Sequence, residues 1–435
     1  MQELAIGPIL SLMPDQPPSS LLPQVFADWF AGRGWTPRSH QLALTETALA
    51  GDSALLIAPT GGGKTLAGFL ASLIELSGEG NSPPPLAGEV GGGAARSRRP
   101  ALHTLYISPL KALATDVERN LNTPVSEMGL NIRIETRTGD TPQSKRQRQR
   151  ANPPDILLTT PEQLALFIAS DHAADFFSDL KCVIIDEIHA IAASKRGDLL
   201  SLGLAALAEW APACRFIGLS ATVRDPGQLA GWLPKREGRE TRLIRAEGGI
   251  SADIGIMVSR ERIPWSGHSG RFAVPEVYEA IRDAEMTLVF VNTRSQAEML
   301  FQELWRANED ALPIALHHGS LAREQRRKVE AAMARGVLKG VVCTSTLDLG
   351  LDWGGVDLVI QMGAPKGAAR LIQRIGRANH RMDEASRALL VPTNRFEILE
   401  CRAAEAAVEA GEIDGEPMRT GALDVLAQHI MGRAC

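Results

Sequence analysis

Five cysteines in 435 residues, Cys182, Cys214, Cys343, Cys401 and Cys435, are odd in number and nowhere form a CxxC pair. That scarcity excludes a disulfide framework and a structural zinc site as organising devices, and it fits a reducing cytoplasm. A positive net charge is also lacking: 46 Lys+Arg against 51 Asp+Glu leave −5. No global basic field exists, so any nucleic-acid contact must come from a local basic track. Apolar runs approaching the ~18 residues of a membrane helix are absent. The first residues, MQELAIGPILSLMPDQPP, carry no early Lys or Arg ahead of their short apolar stretch. Neither a membrane span nor export is therefore expected.

Present instead are 44% hydrophobic and 22% charged residues, enough for real cores and too few charges for wholesale disorder. The length makes two or three domains the expectation. Short aliphatic runs alternate with helix-length segments at 54–58, 102–107, 156–159, 182–185 and 216–219, and again at 287–291, 313–316, 340–343, 356–361 and 388–391. Continuous apolar runs read as strands buried on both faces, so two α/β domains with parallel sheets follow, joined somewhere within 232–270. The Pro/Gly/Ser-rich stretch 78–100 reads as a disordered insertion. After Pro392 come a helical segment and then GALDVLAQHIMGRAC, which reads as the start of a third domain.

IAPTGGGKT, residues 57–65, runs from a strand through a glycine turn into a helix. Glycines let the backbone curl into an anion cradle formed by Thr60, Gly61, Gly62 and Gly63, Lys64 reaches the β- and γ-phosphates of ATP, and the Thr65 hydroxyl binds Mg²⁺. The general pattern GxxxxGK[ST] wants Gly where Ala58 stands. A second strand, KCVIIDEIHA, ends in adjacent carboxylates. Asp186 would hold the metal and Glu187 would orient and deprotonate the attacking water.

The strings APTGGGKT, SPLKALATD, TTPEQL, DEIH and SAT, then VFVNTRSQAE, HHGSL, VVCTSTLDLGLDWGGVD and QRIGRANHR, occur in the order typical of superfamily 2 DEXH-box helicases. In detail the chain resembles the Lhr family, and QRIGRANHRMDEASRALLVPTNRFEILEC is similar to its ligase-associated DNA damage response branch. The resemblance implies an N-terminal extension (1–24), two tandem RecA-like domains (25–245, binding ATP, and 246–415) and the start of an incomplete winged-helix domain (416–435). It further implies that Gln41 reads adenine and that Gly350 and Asp352 contact the nucleotide from the second domain. His189, Ser220 and Thr222 would couple hydrolysis to domain movement, and Gln373 would meet the water. Arg374 and Arg377 would face the phosphates. The motif departs at Asn379 and His380, where many members have Gly and Arg, and Arg381 could substitute for the missing arginine only if the local backbone allows.

By the same resemblance, single-stranded nucleic acid lies along Ser108, Pro109 and Lys111, then Arg137, Thr138, Gly139 and Asp140, then Thr160, Pro161 and Glu162. In the second domain it lies along Asn292, Thr293 and Arg294, then His318, Gly319, Ser320 and Thr344. These types suit phosphate contact and also serve as ordinary caps and turns. The densest basic run, KRQRQR at 145–150, reads first as a solvated helix face and second as a nucleic-acid contact. The implied activity is ATP-driven 3′ to 5′ movement on single-stranded DNA with unwinding of DNA or RNA:DNA duplexes, in repair alongside a ligase and nuclease. An RNA-directed helicase and a truncated motor that does not unwind are the alternatives.

Overall fold

The computed structural model describes residues 21–59, 61–78, 100–235, 238–246, 252–267, 269–348, 355–378, 385–415, 418 and 421–434. Thr60, Gly350, Asp352, His380, residues 79–99 of the expected insertion and most of the N-terminal extension lie outside them.

Thirteen strands are described: β1 (Ala54–Ile57), β2 (Thr104–Ile107), β3 (Ile134–Thr136), β4 (Ile156–Thr159), β5 (Cys182–Ile185), β6 (Arg215–Ser220), β7 (Arg242–Arg245), β8 (Asp253–Ile256), β9 (Thr287–Phe290), β10 (Ile314–His317), β11 (Gly340–Cys343), β12 (Leu358–Met362) and β13 (Arg387–Val391). They form a seven-stranded sheet, β3-β4-β2-β5-β6-β1-β7, and a six-stranded sheet, β10-β11-β9-β12-β13-β8. Every pairing is parallel. Successive residues of a strand face opposite sides, and the first sheet's cores divide accordingly: Ala54 and Leu56 pack into one apolar layer, Leu55 and Ile57 into the other. The second domain repeats the plan, with Val289 on one side of its sheet and Leu288 and Phe290 on the other.

Three strands escape the apolar-run reading: β3, β7 and β8, all at sheet edges. Each carries polar or charged residues, Glu135 in β3, Arg242 and Arg245 in β7 and Asp253 in β8, so no continuous apolar run marks them. Their pairing places the crossing between sheets after Arg245 and before Asp253. The chain then returns: helix Leu423–Ala434 packs on helix Lys195–Trp210 of the first domain. There Asp198 accepts from the Ala422 amide at 3.1 Å, and the Arg433 guanidinium lies 4.9 Å from the Trp210 ring centroid. Parallel strands put all their carboxyl ends on one edge, where an open α/β sheet binds its ligands.

Candidate active site

The loop after β1 turns through two left-handed glycines, Gly61 (φ 77°) and Gly63 (φ 70°), a conformation that costs side-chain-bearing residues about 1 kcal/mol or more. Three successive carbonyls are gripped from the start of helix Ser39–Leu49. Arg38 Nη1 donates to Gly61 O at 3.3 Å, His40 Nε2 lies 2.7 Å from Gly62 O, and Gln41 Nε2 donates to Gly63 O at 3.3 Å. This holds the negative ends of the loop peptides against that helix and away from the N-terminus of helix Lys64–Ser77, where an anion sits best. Sequence alone does not single out Arg38 and His40; their only signal is adjacency to Gln41. Gln41, the expected adenine reader, turns its side chain to the phosphate loop. Its side chain is 5% exposed, its Oε1 accepts from the Arg38 amide at 2.9 Å, and a methyl on Gly63 would stand 2.6 Å from its Nε2. Gln41 braces the phosphate loop.

Lys64 is buried, and its ammonium donates to Ala58 O at 3.0 Å. Thr65 follows at the second position of the same helix. At the end of β5, Asp186 is buried and accepts from Tyr106 Oη at 2.5 Å and from the Glu187 amide at 2.9 Å. Glu187 adopts φ 47°, rare for a residue with a side chain and costly by about 1–3 kcal/mol, which aims its carboxylate differently from that of its neighbour. Burial and the charge of Glu187 raise the Asp186 carboxyl above its ordinary range, against the Tyr106 hydrogen bond and Lys64. For Glu187 burial acts in the same upward direction, but the charges of Lys64, His189 and Arg377 outweigh it and the carboxyl falls below its usual range. A buried carboxylate this uncomfortable and a threonine hydroxyl are hard oxygen donors, the kind that suits a magnesium ion carried on phosphates.

The two domains meet at His189. Its Nε2 lies 2.7 Å from the Gln373 side-chain amide, across the cleft in helix Ala368–Ile375, and 3.4 Å from Glu187 Oε2. Its Nδ1 accepts from the Ala221 amide and lies near Ser220 Oγ, both at 3.3 Å. Burial lowers the imidazole's pKa, Glu187 opposes this and Lys64 adds to it, so the ring is neutral near pH 7. Thr222 lies apart from this network, on the wall of an interdomain cavity of about 1090 Å³ bordered also by Asp348, Arg370 and Gln373.

The paired arginines separate. Arg377 is buried and close enough to Glu187 for its charge to lower that carboxyl. Arg374 does not face the cleft: it is 2% exposed, its Nε donates to Asp348 Oδ1 at 2.8 Å, its Nη1 contacts Gln361 Oε1, and its guanidinium lies 4.7 Å from the Phe290 ring centroid. The second domain's own carboxylate claims it, which corrects its reading as a phosphate-facing cation.

The candidate nucleic-acid residues sit at the carboxyl ends of the strands. Pro109 O and Glu162 are tied together by Arg196, at 2.7 and 2.6 Å. Thr160 stands just before helix Pro161–Ile168, at its N-cap position, with Pro161 as the first helical residue. Arg146 holds the carbonyls of Thr138 and Gly139, both at 3.1 Å, and Arg148 reaches Glu135 at 2.7 Å, so these two members of the KRQRQR run are internal braces. Lys111 is exposed. In the second domain Asn292 Nδ2 donates to Ala364 O at 2.9 Å, Thr293 caps helix Arg294–Ala307 and Arg294 donates to Ser320 Oγ at 2.9 Å. His318 is buried 3.3 Å from Glu298, and Gly319 is exposed beside it. Thr344 follows β11 and precedes the 3-10 turn Ser345–Leu347. His317 is satisfied by Thr346 and Glu330.

Comparison with known proteins decides the family. Residues 38–229 match the DEAD/DEAH box helicase family and residues 273–382 the helicase conserved C-terminal domain. The Lhr helicase/probable uracil glycosylase of Mycolicibacterium smegmatis is 35% identical over 94% of this chain and 29% of its own length. The chain belongs to the Lhr-type helicases. ATP-dependent helicase Lhr-Core of Methanocaldococcus jannaschii is 34% identical over 95% of the chain and 48% of its own length. The structure of Mycobacterium smegmatis helicase Lhr bound to ssDNA and AMP-PNP superposes with a TM-score of 0.83 at 34% identity, over 96% of this chain and 54% of that one. The chain thus spans about half or less of these Lhr relatives.

Proposed function

We propose that this chain is the ATP-hydrolysing motor of an Lhr-type helicase, acting on single-stranded DNA and moving 3′ to 5′. The observation that carries the reading is the 2.7 Å contact between His189 and Gln373, which joins the end of β5 to the second domain beside Glu187. Lys64 and Arg377, from opposite domains, both act on the Glu187 carboxylate. A nucleotide seated there is gripped from both sides.

Thr65 and Asp186 would hold Mg²⁺, which when bound neutralises phosphate charge. Glu187, kept ionised by its cations, orients the attacking water and takes its proton. Arg377 faces charge that develops on the γ-phosphoryl oxygens. Once those charges leave, the lysine and arginine lose their shared partner and the domains separate. Because the nucleic-acid face is built on the same two domains, each cycle alters the spacing of its contacts. The Mycobacterium smegmatis relative, bound to ssDNA and AMP-PNP, supports DNA as the track. Duplex unwinding, including RNA:DNA hybrids, and repair work alongside a ligase and nuclease extend the proposal.

The test is ATP turnover with and without single-stranded DNA. Turnover should be strand-dependent, and Glu187→Gln should lower it about 10²- to 10⁴-fold while nucleotide still binds. Unchanged turnover in the variant removes Glu187 from its role; stimulation by RNA alone would make the track RNA. The alternative is a motor core that binds ATP and strand without unwinding, read as turnover without strand displacement.

A further inference from the structure

Asp140 occupies an unusual place for an acid on a nucleic-acid face. It sits in the turn after β3, in the first domain, and its Oδ2 accepts from Arg323 Nη2 at 2.7 Å. Arg323 opens helix Arg323–Ala334 of the second domain, directly after the HHGSL segment. The other carboxylate oxygen lies 3.6 Å from Nζ of Lys111, which opens helix Lys111–Glu127 after the SPL segment. One anion is therefore shared by two cations from opposite domains, each within or beside a stretch assigned to the nucleic-acid track.

We propose that Asp140 is a built-in stand-in for a nucleic-acid phosphate, clasping the two domains across the track until an incoming strand displaces it. This rests on the nucleic-acid reading above and deepens it. The turn that carries Asp140 is held in shape from within. The Thr138 amide donates to Thr141 Oγ1 at 2.9 Å, and Arg146 takes the carbonyls of Thr138, Gly139 and Thr141. A methyl on Gly139 would stand 2.8 Å from Lys111 Nζ, so the residue before Asp140 keeps the ammonium close. A carboxylate offers two oxygens to an arginine much as a phosphate does. The side chains of Asp140, Arg323 and Lys111 are 44%, 55% and 54% exposed, and ion pairs of that kind are weak enough for a polyanion to replace. Once replaced, both cations turn to phosphate and Asp140 repels the strand, which favours release when the domains separate.

The experiment measures binding of a fluorescent oligo(dT) to the 435-residue protein without nucleotide, for the wild type, Asp140→Asn, Arg323→Gln and the double variant. Asp140→Asn should bind roughly three- to tenfold tighter, and in the Arg323→Gln background its effect should shrink to about twofold or less. A dye pair on the two domains, read without oligonucleotide, should report a wider separation in Asp140→Asn. A variant that binds no tighter than a wild type that does bind, or an unchanged separation, overturns the clasp alone. A wild type that binds no oligonucleotide overturns the nucleic-acid reading itself.

Discussion

The proposed nucleotide cleft and the proposed nucleic-acid face use the same kinds of residue at different depths. In the cleft, Lys64, Asp186, Glu187 and Arg377 are each less than a tenth exposed. On the face, Lys111, Asp140, Arg323, Glu162 and Arg196 are roughly half exposed. A buried ion deprived of its partner leaves an uncompensated charge, worth about 3–5 kcal/mol, whereas an exposed pair is worth about 0–1 kcal/mol. The cleft can thus store specific, costly states that a nucleotide relieves. The face can exchange partners rapidly, as a track must.

The sharpest break in that comparison lies between two buried arginines three residues apart. Arg377→Gln should lower turnover about 10³-fold, the scale of a lost arginine finger, with the melting temperature little changed. Arg374→Gln should instead destabilise the second domain by about 2–4 kcal/mol, because buried Asp348 loses its buried cation and keeps only the more exposed Arg370, 3.6 Å away. Melting curves beside turnover distinguish the two. If Arg377→Gln melts early and Arg374→Gln only slows turnover, the roles are reversed.

That division also marks how far the sequence can be read. The phosphate loop, the Asp186–Glu187 pair and the central strands stand out because each is a contiguous string whose chemistry is local. Edge strands β3, β7 and β8 stay hidden because they are short and broken by charged residues such as Glu135, Arg242 and Asp253, which leave no apolar run. The braces stay hidden for another reason. Arg38 and His40 on the glycine carbonyls, Tyr106 on Asp186 and Arg196 between Pro109 and Glu162 act through contacts between residues up to 87 positions apart. Motif order locates the arginines of QRIGR, but only packing against Asp348, Gln361 and Phe290 says which of them faces inward.

Tyr106 gives the next effect. Its hydroxyl is fully buried, and burial followed by the charge of Asp186 keeps it protonated, so it is a fixed donor to the carboxylate. Tyr106→Phe removes one hydrogen bond to a charged group, about 1.5–3 kcal/mol. We expect Mn²⁺ binding, followed by electron paramagnetic resonance with nucleotide present, to weaken about tenfold while nucleotide binding without metal is unchanged. Equal loss in both would make the tyrosine a packing residue.

Acid should act on the cleft before the face. His189 and His40 both have folded pKa values lowered, chiefly by burial, so the unfolded chain takes up protons first as pH falls below about 6.5. Their contribution is fully present above that pH and is lost as pH drops toward the folded values, at no more than about 1.4 kcal/mol per pH unit for each group. The raised Asp186 carboxyl works the other way, gaining stability as pH falls through about 6, so melting temperature from pH 7.5 to 5 should decline only shallowly, and His189→Gln should flatten the decline further while His40 keeps its part. A slope identical in the variant would assign the effect elsewhere.

The smallest effect tests the face. Arg148 belongs to the most basic run in the chain, yet its guanidinium is engaged by Glu135 at 2.7 Å, with Gln149 holding the same oxygen at 2.9 Å. With the arginine 61% exposed, the pair is worth at most about 1 kcal/mol, and Gln149 retains part of the carboxylate's satisfaction when the arginine goes. Arg148→Gln should therefore shift oligonucleotide affinity by less than about twofold and leave the salt dependence of binding unchanged. A phosphate-contacting arginine would instead reduce the slope of log affinity against log salt by about one unit. The salt slope separates the two cases, since a brace alters the shape of the turn before Asp140 whereas a ligand alters the number of counterions released.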